Sequence, residues 1–322
     1  MLRKDLTNIP SYVPGKKIEG SIKLSSNELA HGALPSVREA LDNVQVNRYP
    51  DMFAVALRET LASRFGVSFE QVAVGCGSSA LCQQLVQITC LNREDEVIYP
   101  WRSFEAYPIF VDVCGATKVP IPLDKKEAVD LDGIAEAVTE NTKLIFLCNP
   151  NNPSGTAFTG AEFDAFMKRV PDDVVVALDE AYIEFADVES GVGKLSSHPN
   201  LVVLRTFSKA CGLASLRVGY ALGSATLIDA LIKVAIPFAV SGPAQAAALA
   251  SLAAGDELAA RVAEVKKQRA RAQEALGAIP SQANFIWLPG QKFEKEGVIV
   301  RHFPEGTRIT VTTEEETDAL LG

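Results

Sequence analysis

Apolar and polar positions along this chain fall into short blocks, not one long period. Apolar, β-branched runs over 72–74, 144–147, 174–178, 201–204 and 218–222 each give way to glycine, asparagine, carboxylate or hydroxyl residues. Runs of this length bounded by turn formers predict buried strands. Residues 95–100 predict a further strand, ending at Pro100. Between the strands lie stretches with helical spacing: 36–41, 52–65, 80–90, 225–234, 244–254 and 257–276. In the second of these, Val55, Leu57, Leu61 and Phe65 form an approximate apolar face, and in the last, charge alternates along the exposed side. This succession predicts an α/β fold.

Toward the end the pattern changes. Short strands at 284–288, 298–300 and 308–311 suggest a smaller α+β unit, and the helix over 257–276 is long enough to connect it to the first. Residues 1–28 carry Pro10, Pro14, Gly15 and Gly20 with little periodicity and read as an extended arm. The expected organisation is an arm over 1–28, a large domain over 29–233 and a small domain over 234–322, with the arm packing near the small domain.

Composition narrows the function. With 322 residues, 48% of them hydrophobic, and a mean hydropathy of +0.12, the chain can bury a large core. A net charge of −9 argues against nucleic acid or an anionic membrane as the main partner, since both favour a basic face. The start has no apolar leader and no stretch approaches a membrane span, so a cytoplasmic protein is expected. Six cysteines without a C-x-x-C pair read as reduced core residues. Three histidines far apart suggest neither a zinc cluster nor a Ser-His-Asp triad, and no metal is expected.

The strand ends carry the chemistry. Lys209 follows the run 201–204, with Thr206 and Ser208 before it and Arg217 after a glycine-containing loop. Ligands of open α/β sheets bind at the carboxyl ends of strands, where an amine held in apolar surroundings can lose its proton and act as a nucleophile. Lys209, Ser208 and Arg217 thus offer an aldehyde-reactive amine beside anion-binding groups, a combination that suits pyridoxal phosphate. A single lysine is more often a solvated charge, so the other groups this cofactor needs decide the matter. Gly75-Cys-Gly-Ser-Ser79 lies between a strand and a helix, where unpaired N–H groups and the positive helix end can seat a phosphate. It is neither a Walker A motif nor G-x-G-x-x-G, and alone such a turn is more often only a turn. Asp179 closes a five-residue apolar run, an expensive place for a carboxylate unless a cation faces it; a protonated ring nitrogen would account for it. Phe104, in the aromatic stretch 101–108, could cover a planar ring or simply pack, and Asn152 lies in a proline-containing loop expected to be extended.

Taken in order, Lys23-Leu-Ser-Ser-Asn-Glu28, Arg48-Tyr-Pro-Asp51, Gly75-Cys-Gly-Ser-Ser79, Asn149-Pro-Asn-Asn-Pro-Ser-Gly155, Asp179-Glu-Ala-Tyr182, Thr206-Phe-Ser-Lys209 with Arg217, and Thr307-Arg-Ile-Thr-Val311 resemble the fold-type I pyridoxal-phosphate aminotransferases. The resemblance covers nearly the whole chain and points to the histidinol-phosphate aminotransferase branch. Within that branch, Gly75-Cys-Gly-Ser-Ser-Ala-Leu-Cys-Gln-Gln84 and Pro100-Trp-Arg-Ser-Phe-Glu-Ala-Tyr-Pro108 are more similar to the actinobacterial aromatic (phenylalanine) aminotransferases. There are two departures: Leu29 stands where proline is usual, and 290–297 is short for the helix expected there.

The resemblance implies a mostly parallel seven-stranded sheet between helices and a smaller α+β domain. It also implies pyridoxal 5'-phosphate as cofactor, with Lys209 bonding its aldehyde and moving the proton between Cα and C4′. Asp179 would hold the ring nitrogen protonated, Tyr182 and Asn152 would bond the ring's 3-oxygen, and Phe104 would stack on the ring. Phosphate ligands would be Ser78, Ser79, Thr206, Ser208 and Arg217, with Tyr49 supplied by the other subunit of a homodimer. Arg308 would clamp the substrate α-carboxylate, and Tyr12 and Arg301 would line the substrate pocket. The implied reaction is transfer of the amino group of phenylalanine, tyrosine or tryptophan to 2-oxoglutarate. Histidinol-phosphate transamination is the alternative that Arg301 keeps open, ahead of an amino-acid-phosphate decarboxylase or a cofactor-binding regulator.

Overall fold

The computed structural model describes residues 3–15 and 18–322. Its strands and helices run in chain order as β1 (Ile22–Lys23), α1 (Pro35–Asp42), α2 (Val55–Phe65), β2 (Val72–Gly75), α3 (Ser78–Thr89), β3 (Glu96–Trp101), α4 (Tyr107–Cys114), β4 (Thr117–Pro122), α5 (Leu131–Glu136), β5 (Thr142–Cys148) and α6 (Gly160–Met167). They continue as β6 (Val175–Asp179), β7 (Leu201–Thr206), β8 (Gly219–Gly223), α7 (Ala225–Val234), α8 (Gly242–Ala253), α9 (Gly255–Leu276), β9 (Phe285–Pro289), β10 (Val298–Ile299), β11 (Arg301–Phe303), β12 (Gly306–Thr310) and α10 (Glu314–Leu321).

Seven strands form one sheet in the order β2-β8-β7-β6-β5-β3-β4. Only β8 runs against its neighbours. Because side chains alternate along a strand, an unbroken apolar run needs a cover on both faces. That is what the clusters show. Ile145, Leu147, Val176, Leu178, Leu201 and Val203 pack with residues of α1, α2, α6 and α8, while Leu144, Phe146, Ala177, Val202, Leu204 and Ala221 pack with α3, α4 and α7. The expected seven-stranded α/β layer is present.

A second, three-stranded antiparallel sheet has the order β11-β12-β9. Ile286, Leu288 and Ile309 share their core with Ala272 of α9, Leu320 of α10 and Leu24. Further up α9, Val265 packs with Tyr182, Phe185 and Phe285, so the long helix touches both regions. The division at 234 stays an expectation; α8, placed beyond it, buries Ala244, Ala247 and Ala248 in the same cluster as α1 and α2. Among the described residues no helix is long and apolar enough to cross a membrane.

Of the arm over 1–28, residues 1, 2, 16 and 17 lie outside the described residues; near its end β1 pairs parallel with β10. Leu24 is buried, its N–H donating to the Ile299 carbonyl at 2.7 Å and its carbonyl accepting from Thr310 N–H at 2.9 Å. The loop 149–155 is folded back, not extended, with Gly155 N–H on the Asn151 carbonyl at 2.7 Å and Asn149 bonded at both ends of its amide to the backbone of Phe158. The stretch 290–297, too short for the helix usual in the family it resembles, holds none and ends in a turn with a Lys295–Val298 bridge. Helices α4, α5, α6 and α10 and strand β4 went unread in the pattern because they are short and weakly periodic. Strand β4 in addition is an edge strand carrying Pro120 and Pro122, as edges tolerate.

Candidate active site

Strands β2, β3, β5, β6 and β7 are mutually parallel, so their carboxyl ends lie along one edge of the sheet. A cavity of about 530 Å³ opens there. Every site residue expected from the sequence lines it except Tyr49.

Asp179 is the last residue of β6 and is 4% exposed. Its Oδ2 accepts from the Tyr107 hydroxyl at 2.8 Å and its Oδ1 from the Ala181 N–H at 3.1 Å. Burial nevertheless pushes its pKa up to about 6, against those donors and the nearby Lys209. A buried carboxylate so placed has room for a cation. Glu180, next in the chain, points the other way, as strand alternation requires, and pairs with the Arg205 guanidinium at 2.8 Å. Removing either partner of such a buried pair typically costs about 3–5 kcal/mol.

On the adjoining strand, Thr206 Oγ1 accepts from the Ser208 N–H at 3.1 Å, and Lys209 Nζ donates to the Ser26 carbonyl at 3.2 Å. Burial, helped by Arg308 and Arg217 and opposed by Glu28 and Asp179, lowers the Lys209 pKa to about 7. Near neutrality a large share of this amine is therefore unprotonated, the form that attacks a carbonyl or takes a proton.

The turn between β2 and α3 comes next. Gly77 adopts φ +75°, and a Cβ there would stand 2.3 Å from an Arg217 terminal nitrogen. Only glycine lets the guanidinium lie across the turn. Arg217 donates to Ser208 Oγ at 3.2 Å and to Ser79 Oγ at 3.3 Å. Gly77 supplies no side-chain cap, so the N–H groups opening α3 at Ser78 and Ser79 have no intrahelical acceptor. Two hydroxyls, a guanidinium and a helix N-terminus without a carboxylate among them fit a phosphate group.

At the opposite end Arg308 is 6% exposed on β12. Its terminal nitrogens donate to Asn152 Oδ1 at 2.5 Å and to the Ser25 carbonyl at 2.7 Å, while its buried Nε has no partner. Among the described residues neither Arg308 nor Arg217 has a carboxylate partner. Asn152 thus acts here as an acceptor. Tyr182 receives a hydrogen bond from Asn27 Nδ2 at 3.0 Å, which leaves its hydroxyl proton to donate into the cavity. Phe104 stands edge-on to Tyr107 at 5.4 Å and faces Tyr12 at 6.4 Å. Arg301 is not free: its Nη2 lies 2.7 Å from Glu105 Oε2.

Tyr49 lies elsewhere, 84% exposed, with its ring 4.7 Å from that of Phe238. Sequence reasoning missed Tyr107, Glu105 and the backbone carbonyls of Ser25 and Ser26. Tyr107 and Glu105 sit inside the 101–108 motif, where aromatic density drew attention to Phe104 alone; a backbone carbonyl leaves no side-chain signal.

A family model described as aminotransferase class I and II matches residues 19–322. An aromatic amino acid aminotransferase from Corynebacterium glutamicum is 57% identical over 100% of this chain and 97% of its own length. One of the same name from Rhodococcus jostii is 50% identical over 99% of this chain and 94% of its own. Among solved structures, a histidinol-phosphate aminotransferase from Sinorhizobium meliloti in complex with pyridoxal-5'-phosphate superposes with a TM-score of 0.87 at 28% identity, covering 93% of this chain and 88% of that one.

Proposed function

The chain belongs to the class I and II aminotransferase family, and from that premise we propose that it transfers the amino group of phenylalanine, tyrosine or tryptophan to 2-oxoglutarate with pyridoxal 5'-phosphate. The observation that carries the reaction is the meeting, in one cavity, of an amine with pKa about 7, a buried carboxylate and two arginines that have no carboxylate partner among the described residues. When bound, the cofactor supplies an aldehyde that takes up amino groups and a cationic ring that accepts the electrons released at the substrate Cα.

The residues divide the work. Arg217, Ser208, Thr206, Ser78 and Ser79 hold the phosphate; Asp179 keeps the ring nitrogen protonated; Tyr182 and Asn152 bond the ring oxygen; Phe104 covers a face. Lys209 Nζ would take the proton from the substrate Cα and hold it for return, which its lowered pKa equips it to do in both directions. Arg308 receives the α-carboxylate, to which its planar fork and unpartnered Nε are matched. The cavity lining also carries Tyr12, Phe104, Ile109 and Phe110, apolar groups suited to an aromatic side chain.

We further propose a homodimer whose partner brings Tyr49 to the phosphate. Exposed Val46, Tyr49, Phe53, Ile236 and Phe238 support this, since a monomer rarely leaves so many large apolar groups in water. A monomer by sedimentation at micromolar concentration would count against it.

Histidinol phosphate is the second reading, kept by the presence of Arg301 in the cavity. The deciding experiment gives the loaded enzyme 2-oxoglutarate with either phenylalanine or L-histidinol phosphate. The expected outcome is a kcat/KM favouring phenylalanine; a preference for the phosphate ester would replace the aromatic reading. Turnover of neither would leave the decarboxylase and regulator readings.

A further inference from the structure

Strands β11 and β12 set Arg301 directly opposite Arg308. Cross-strand neighbours point to one side of the sheet, here into the cavity, and like charges so placed repel. Two free arginines would make this end a receptor for a doubly charged anion such as a phosphate ester. The chain does not leave both free. Glu105, in the segment leading into α4, holds the Arg301 guanidinium at 2.7 Å, with the side chains 28% and 14% exposed respectively. Among the described residues Arg308 has no carboxylate partner.

We propose that Glu105 is the specificity-determining residue of this site: by pairing with Arg301 it cancels one of two opposed positive charges, so that the remaining guanidinium, Arg308, suffices for a singly charged α-carboxylate and falls short of what the doubly charged phosphate standing in that place in histidinol phosphate requires. The inference rests on the aromatic reading above and names the residue behind it. An incoming phosphate would have to displace a partly buried carboxylate from its arginine or lie beside it, and either costs the anion most of the attraction Arg301 could offer. The adjoining rings of Tyr12 and Phe104, 6.4 Å apart, then make the neutral end favourable for an aromatic group.

A second ion pair makes this separable from folding. Arg102 donates to both carboxylate oxygens of Glu305, at 3.1 and 2.7 Å, joining the same two segments with the charges exchanged. Losing the Glu105 carboxylate therefore leaves the β11–β12 hairpin tied down.

The test compares the natural enzyme, Glu105→Gln and Glu105→Gln with Arg301→Gln, each loaded with cofactor. The ratio of kcat/KM for L-histidinol phosphate to that for phenylalanine should rise about tenfold to a hundredfold in the single variant, the range of one charge-assisted hydrogen bond, and fall back in the double variant. The KM for 2-oxoglutarate, whose distal carboxylate meets the same end, should drop in the single variant. An unchanged ratio, or a rise that survives loss of Arg301, overturns the proposal. Preference of the natural enzyme for the phosphate ester would overturn the aromatic reading instead, whatever the variants do. Should Glu105→Gln not fold, Arg301→Gln alone bares the Glu105 carboxylate: the KM for 2-oxoglutarate should then rise more than that for phenylpyruvate, and equal rises would refute the role.

Discussion

At one end of the cavity Asp179, Thr206 and the turn 75–79 each continue a strand of the same sheet, and their mutual positions follow from strand pairing. At the other end Tyr12, Glu105, Arg301 and Arg308 come from the N-terminal segment, the approach to α4 and the β11–β12 hairpin, held together by side-chain contacts spanning most of the chain. The first end is rigid and shared in kind with any ligand that needs an amine, a carboxylate and an anion seat. The second is assembled from pieces that can vary separately. Chemistry is thus fixed where the backbone is most constrained, and selectivity is placed where a single side chain can change it.

The largest effect should come from the sheet end. Lys209→Ala removes the amine that attacks and moves the proton, so turnover should fall by roughly 10^4-fold or more in a coupled assay while cofactor phosphate contacts remain. Retained transamination would dissolve the distinction between the two ends, because the other amine among the described residues of the cavity, Lys23, is held by Glu28.

Arg308→Lys tests the assembled end. A lysine cannot reproduce the fork that reaches Asn152 and Ser25 while offering Nε to a carboxylate. The KM values for both amino acid and oxo acid should rise about tenfold to a hundredfold, with kcat changed much less. An unchanged KM would take the carboxylate clamp away from this residue.

The smallest expected effect sharpens the electrostatics of the floor. In the cofactor-free protein the Asp179 pKa of about 6 lies above its ordinary 3.8, so the folded chain binds that proton more tightly than the unfolded one. This contribution to stability is fully present below pH 3.8 and is lost as pH rises through about 6. Measured by denaturant unfolding against Asp179→Asn, the natural protein should lose up to about 3 kcal/mol of relative stability between pH 4 and 7. The loss should vanish when cofactor is added and a cation faces the carboxylate. A flat difference would mean that Asp179 is not desolvated as its burial implies.

The sequence alone determined the sheet and most of its chemistry. Apolar runs too continuous for a half-exposed strand marked buried strands, and the polar residues that follow each run marked its end, which is why Asp179, Thr206, Lys209 and the turn 75–79 were legible one by one. What only the tertiary structure decided is how distant residues meet. Nothing local to residues 22–28 reveals that β1 will find β10, or that the Ser25 carbonyl will accept from Arg308 283 positions away. Nor does Arg301 carry any mark of being neutralised by Glu105, or Tyr107 of bonding Asp179, because charge pairing and hydrogen bonding depend on distances that close only when the chain packs. Local pattern records which face of an element is apolar; it carries no information about which polar group of another element will stand within three ångströms.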